Sequence, residues 1–359
     1  MNHVKRIVLT FARLAVCSVL AVTMLPNNAK ADVSCRSNYT SFTITMPGTV
    51  AVPRDLANGS MLTSWSMMPN TTNMYTCTST NLTYSGIDFE LAGMSSTMTS
   101  YKASYNGTVF PVYQTNLPGV GIAMGGNLNA HGRTAGPVGF NDMGFHWNSN
   151  GTNDNGGQLI VALVKIGDIT PGTLSGLIAQ GFSWEGAVSP PAGDNPASGV
   201  ISFNITPVVV TVLTCQTPDK TIPMGIHGPS DLPTVGSTSS NPASFTLDLN
   251  NCPGGAPVAG LSVGQINSIQ YRIDPSNGAV AGFTNVAALS GSPSAGGVGI
   301  QLYDSTGAVF PLSVYKTLSN FNSATGGSYN IPLTARYYRT GTLTPGPANS
   351  TMTMTVLYQ

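Results

Sequence analysis

The chain has 359 residues, only 8% of them charged, with fourteen basic and fourteen acidic side chains and a formal net charge of zero. That balance excludes a dense basic face for nucleic acid or anionic membrane. The scarcity of Glu, Lys and Arg also argues against long exposed helices. Glycine (41) and proline (25) are frequent, and with plentiful Ser, Thr and Asn they favour strands joined by turns.

Residues 1–31 read as a targeting segment. Lys5, Arg6 and Arg13 precede the apolar run Leu14 to Leu25, and Ala29-Lys30-Ala31 is a small-x-small cleavage site, so the mature chain is expected to start at Asp32. The run is short for a membrane span, and Cys17 lacks the context of a lipoprotein cysteine. Losing Lys5, Arg6, Arg13 and Lys30 leaves ten basic residues against fourteen acids. Roughly 330 mature residues suffice for two domains, each with its own core. Export would place them in an oxidising compartment.

In chain order, the first half offers strand-like runs at 41–46, 50–56, 74–80, 108–113, 119–124, 158–166 and 200–205, separated by Gly, Asn and Pro. This pattern predicts an all-β sandwich or jelly roll over 32–205. The segment 206–212 lies within the β-branched run T-P-V-V-V-T-V-L-T (206–214). It reads as an extended linker, either a semi-rigid hinge or a shared strand. A second all-β domain is expected over 213–359.

The stretch 125–157 lies between two strand candidates and is long for a connection, which marks it as a functional or self-packed loop. It carries His131, Arg133, Asn141, Asp142, His146, Trp147 and Asp154, with Phe140, Phe145, Asn148 and Asn153 nearby. An aromatic face with amides and carboxylates suits a sugar, so these residues are the candidate ligand-binding set. His131, Asp142 and His146 have the chemistry of zinc ligands, but their spacing follows no zinc pattern, and no metal or other cofactor is expected. The mature chain has only three histidines, and the acids show no local signature of a glycosidase pair, so an enzyme is not expected. Trp65 and Trp184 read as packing residues, and the methionines as core fillers. The Asn-x-Ser/Thr triplets at Asn38, Asn81, Asn106, Asn150 and Asn204 read as chance in such a composition.

The chain closes on T-M-T-M-T-V-L-Y-Q, with Met352, Met354, Val356 and Tyr358 on one face and threonines on the other. Period two predicts a half-buried strand, and its far edge must be met by something else.

Here the sequence resembles a known family. Gly346, fourteenth from the end, and the penultimate Tyr358 match the terminal signature of chaperone–usher pilus subunits. So do G-V-G-I-Q-L-Y-D-S-T-G (297–307), I-P-L-T-A-R-Y-Y-R-T-G (331–341) and P-G-P-A-N-S (345–350). The resemblance implies an incomplete immunoglobulin-like pilin domain that lacks its last strand. A periplasmic pilus chaperone, then the adjacent fimbrial subunit, would supply that strand, with an outer-membrane usher guiding assembly. Gly346, Met352, Met354, Val356 and Tyr358 are the residues it implies for chaperone and subunit contact.

The first half is similar to receptor-binding domains of fimbrial tip adhesins, through its spaced cysteines, Y-N-G-T-V-F-P-V-Y-Q-T-N-L-P-G-V-G-I (105–122) and L-I-V-A-L-V-K-I-G-D-I-T-P-G (159–172). V-A-V-P-R-D-L-A-N-G-S (50–60) looks like collagen-binding type 3 adhesins. The implied function is attachment to a host glycan or matrix protein, with a non-adhesive minor tip or adaptor subunit as the alternative. Mannose is not carried over, because the mature chain would begin at Asp32 and not at the phenylalanine of mannose-binding relatives.

Cys35, Cys77, Cys215 and Cys252 allow three pairings. A domain split near 210 leaves Cys35–Cys77 and Cys215–Cys252, and the resemblance supports the second.

Overall fold

A computed structural model describes residues 33–95, 97–140, 143–186, 199–292 and 294–359. The targeting segment, Asn141 and Asp142 lie outside the described residues. The fold is built from strands. The first half holds β1 (Val33–Ser37), β2 (Ser41–Ile44), β3 (Thr49–Pro53), β4 (Ser66–Met67), β5 (Thr71–Leu91) and β6 (Met98–Tyr105). It continues with β7 (Thr108–Gln114), β8 (Val120–Ala130), β9 (Arg133–Gly139), β10 (Gly144–Lys165), β11 (Gly172–Gly186) and β12 (Ile201–Leu213). The second half holds β13 (Ala243–Pro253), β14 (Ile269–Pro275), β15 (Gly296–Asp304), β16 (Lys316–Thr317), β17 (Gly326–Thr344) and β18 (Met352–Tyr358).

The first twelve strands form one continuous hydrogen-bonded sheet along the path β2-β12-β11-β5-β10-β8-β7-β6, with β1, β3, β4 and β9 attached to its flanks. Two long strands let it wrap around a core. β10 pairs with β5 along its first part, from Gly144↔Asp88 to Gly157↔Thr71, and with β8 along its second, from Asn155↔Ala130 to Lys165↔Val120. The change of neighbour falls at the irregularity between Asn155 and Gly157. A Cβ on Gly157 would press on the Asn127 carbonyl and the Phe89 ring, so the strands can approach this closely only at glycine. Beyond it, Leu159 to Val164 are all fully buried. Leu159, Val161 and Leu163 join the main core, and Val164 joins a smaller cluster with Ala103, Val112 and Ala123 on the other side. Burial on both faces explains why this stretch is apolar throughout instead of alternating.

Met46, Met68, Met74, Met94, Met124 and Met143 are buried in the main core, the gap-filling role expected of them. Trp65 is half-buried against Phe110 and Tyr105 and donates Nε1–H to the Ser104 carbonyl at 3.2 Å, so it packs and does not form a platform. Trp184 lies in β11.

The segment 206–212 belongs to β12. That strand pairs with β11 and, in parallel, with β3 as far as Leu213↔Pro53. Val208 and Val210 are buried in the first core, while Leu213 is buried in the second. The second core lies between two three-stranded sheets, ordered β13-β17-β15 and β16-β14-β18. Both disulfides, Cys35–Cys77 and Cys215–Cys252, are formed. The first links directly opposed residues of β1 and β5.

The expectation of a long connection over 125–157 is corrected. Residues 125–130 end β8, 133–139 are β9, and 144–157 begin β10. Among the described residues of this stretch, only the tight turn at His131 (φ 51°) and Gly132 (φ 72°), Phe140 and Met143 lie outside strands. Glycine and asparagine disguised these strands, because pairing with β5 and β8, not propensity, holds them extended.

Candidate functional site

The residues singled out in 125–157 separate into three environments. His131 sits at the β8–β9 turn, where its Nε2 lies 2.7 Å from the Ser85 hydroxyl and its N–H donates to the Asp154 carbonyl at 3.1 Å. Ser85 Oγ also accepts from Asn155 Nδ2 at 3.1 Å, so the turn is tied to both β5 and β10. Burial is the main influence on His131 and pushes its pKa down. His146 belongs to a second pair, 2.9 Å from the Asp88 carboxylate and largely shielded from solvent. Asp154 Oδ1 accepts from the Thr76 hydroxyl at 2.8 Å, a cross-strand tie between β10 and β5.

The third environment faces water. Trp147 remains 38% exposed, and the Arg133 guanidinium stacks over its ring at 4.0 Å from the centroid. Phe145 stands 6.5 Å from Trp147, half-buried against the main core, while Phe140 is fully in that core. Of the described members, His131 meets Ser85, the residue directly opposite Trp147 on β5, while Asn141 and Asp142 lie outside the described residues. Trp147 and Arg133 form an exposed aromatic–cation surface, whereas His146 and Asp154 are held by partners on neighbouring strands. Among the described residues no three His, Cys, Asp or Glu side chains gather as a metal site would require.

The second candidate site is the edge of β18. This strand pairs antiparallel with β14, from Ile269↔Tyr358 to Pro275↔Met352. Among the described residues β14 is its only strand neighbour. Val356 and Tyr358 are buried, and Met352 and Met354 are partly buried against the same core. Across that core, 217–227 forms no strand and no backbone-to-backbone hydrogen bond among the described residues. Its alternate positions are Ile222 and Met224, half-buried, and Ile226, fully exposed. A cleft of about 480 Å³ opens at one end, lined by Ile226, Leu232, Val298, Tyr337, Leu343 and Gly346 among others. Gly346 is needed there, since a Cβ would lie 2.7 Å from the Ala295 nitrogen.

Sequence reasoning missed Ile222, Met224 and Ile226, although their alternation was readable. It also missed Arg54 and Asp55, which reach the end of β18 from the first half. Asp55 Oδ2 accepts the Tyr358 N–H at 2.9 Å, and Arg54 donates to the Val356 carbonyl. No local pattern could have signalled contacts spanning about three hundred residues.

Known proteins resemble this second half most clearly. The fimbrial protein family matches residues 204–359. The type-1 fimbrial protein A chain of Escherichia coli strain K12 is 36% identical over 143 residues, covering 39% of this chain and 72% of that protein. The chain belongs to the fimbrial protein family. The fimbrial subunit type 1 of Klebsiella pneumoniae is 34% identical over the same length, covering 39% of this chain and 72% of that protein.

Among solved structures, the CupB6 tip adhesin of Pseudomonas aeruginosa aligns over 90% of this fimbrial protein and 94% of its own chain, at 16% identity and a TM-score of 0.32. The receptor-binding domain of the Klebsiella pneumoniae adhesin MrkD1P aligns over 53% of this chain and 99% of its own, at 18% identity and a TM-score of 0.30. Likeness this remote assigns neither a ligand nor a place in a fibre.

Proposed function

We propose that this fimbrial protein is a tip adhesin whose second domain, 213–359, accepts a strand on β18 and whose first domain, 32–205, contacts a host glycan or matrix protein. The observation that carries the assembly half is the outer edge of β18. Its inner face is apolar, no strand pairs with it on that side among the described residues, and the run 217–227, without backbone-to-backbone hydrogen bonds among them, borders the same core. An added strand would pair with the backbone of one or both, and its alternate side chains would cover Met352 and Met354. A periplasmic chaperone supplies that strand first and the adjacent subunit afterwards, with the usher as the site of exchange. The protein then stands at the fimbrium tip on the cell surface.

The receptor half rests on Trp147 and Arg133, an exposed aromatic face beside a cation with five donors, which suits a sugar ring or a peptide surface. The test applies the full chain, stabilised by a donated strand, to a glycan array and a panel of matrix proteins. Specific binding that falls with Trp147→Ala supports the adhesin reading. No binding to any member of either panel would assign the chain to the non-adhesive adaptor subunits.

A further inference from the structure

The outer edge of β18 is open for most of its length but closed at its last step, and the first domain closes it. Odd-numbered backbone groups at this end of the chain point toward β14 and its flanks. Thr351 O accepts from Ser276 N at 2.9 Å, Gln359 N donates to Ser268 O at 3.0 Å, and Gln359 O accepts from Ser268 N at 2.9 Å. With a period of two, the N–H and C=O groups of Met352, Met354, Val356 and Tyr358 point outward. Two of these are engaged. Tyr358 N–H is bonded to the Asp55 carboxylate and Val356 C=O to the Arg54 guanidinium.

That pair of groups has a specific meaning in a sheet. One residue of a parallel strand lying opposite Leu357 would donate its N–H to Val356 C=O and accept Tyr358 N–H on its own C=O. Arg54 supplies the donor and Asp55 the acceptor, so two side chains stand in for one residue of an added strand. An antiparallel strand meets the same obstacle, since the pairs at Val356 and Tyr358 each lose one group.

Five further contacts build the device into the fold. Arg54 holds Asp55 through paired contacts of 3.0 to 3.2 Å. Its guanidinium lies 4.7 Å from the Tyr358 ring centroid, and its own N–H donates to Leu213 O at 3.2 Å where β3 ends beside β12. Beneath the turn, the buried Lys165 ammonium donates to the Arg54 and Leu56 carbonyls at 2.7 and 2.6 Å. Asp168 and Asp55 lie near enough to attract this cation. Its effect is to fix the turn that presents Arg54 and Asp55.

We propose that Arg54 and Asp55 are specificity-determining residues for strand acceptance, an end stop that confines an incoming strand to the Met352–Val356 part of the edge. The inference rests on the reading of β18 as an acceptor strand. It adds that the first domain sets how far the accepted strand can run.

The experiment uses the full chain carrying, after Gln359 and a Gly-Ser linker long enough to return to Met352, an alternating Val-Thr strand. One version ends opposite Thr355, and a longer one runs past Leu357. In the parent chain both strands should raise the unfolding midpoint of the second domain equally. In the Arg54→Ala/Asp55→Ala variant the longer strand should raise it further than the shorter. Asp55→Asn, which keeps an acceptor for Tyr358 N–H, should behave as the parent.

Amide exchange supplies a readout independent of stability. Tyr358 N–H should exchange slowly in the unfused parent and at least about tenfold faster in Asp55→Ala, while Leu357 N–H, paired to β14, stays unchanged. An equal gain from the longer strand in parent and variant, or a Tyr358 amide indifferent to Asp55, overturns the end stop. A failure of every donated strand to raise the midpoint overturns the acceptor reading instead.

Discussion

The two cores of this molecule are both enclosed by strands and end differently. In the first, Leu159 to Val164 of β10 run between β8 on one side and β4 with the Met61 bridge on the other, six successive residues with no exposure. In the second, β18 has β14 on one side only, and Met352 and Met354 stay partly exposed although they share a face with buried Val356 and Tyr358. The sequences differ accordingly, since Leu159 to Val164 is apolar throughout while β18 alternates, but neither pattern shows whether a sheet edge is covered. The difference teaches that completeness is a property of edges. An inward-facing methionine without cover is apolar area whose burial still stands to contribute about 25 cal/mol per Å².

The largest expected effect comes from removing the acceptor strand. Deleting Thr351–Gln359 takes Val356 and Tyr358 from the second core and leaves β14 with only the two-residue β16 beside it. The second domain should lose its cooperative unfolding transition while the first keeps its own. Retention of both transitions in denaturant would break the contrast between the two cores.

The disulfides sharpen the same contrast. They close loops of similar length, 42 and 37 residues, so the chain-entropy view assigns each about 4 kcal/mol. Removing Cys35–Cys77 by paired Ser substitutions should lower the first domain's midpoint and leave it folded. The same change at Cys215–Cys252 should unfold the second domain unless a strand is donated. Equal tolerance in both halves would mean that the second core is not short of stability.

A smaller effect is expected at the exposed surface of the first domain. Trp147→Ala should leave both unfolding midpoints in place, because the ring is stacked on Arg133 outside the core. If this surface binds the receptor, affinity should fall by roughly 5- to 150-fold, corresponding to about 1–3 kcal/mol. Unchanged adhesion of Trp147→Ala and Arg133→Ala, measured on whatever ligand the arrays identify, would move the site elsewhere.

What could be read from the sequence follows from the range of each interaction. The all-β class, the terminal strand and the buried face of β18 depend on period and composition, and these are local. The disulfide partners followed from dividing the chain into halves. The strands within 125–157 were not legible, because Gly156, Gly157 and a run of asparagines are extended only by pairing with β5 and β8. The partners of the described members of the candidate ligand set were not legible either. A sequence cannot show that His146 faces Asp88 on β5 or that Asp154 is bonded to Thr76, so both looked available. Arg54 and Asp55 were quoted only as part of a motif, and their meaning lies in a strand about three hundred residues away.

The smallest effect concerns His131 and is read through pH. Its ring lies 2.7 Å from Ser85 Oγ, and burial holds its pKa below the ordinary histidine value. The unfolded chain therefore binds a proton at a pH where the folded chain does not. Stability rises with pH wherever the unfolded state holds more protons, so His131 contributes fully above about 6.5 and progressively less as pH falls toward its folded pKa. Acidification from about pH 7 to about pH 5 should thus lower the first domain's midpoint through this residue, within the window set by the depressed pKa. His131→Gln, which keeps a hydrogen-bonding group toward Ser85 without a titrating proton, should flatten that slope. The measurement is the first domain's midpoint at several pH values in parent and variant. Parallel slopes would mean that the turn between β8 and β9 does not feel the proton, and that the Ser85 contact survives protonation of the ring.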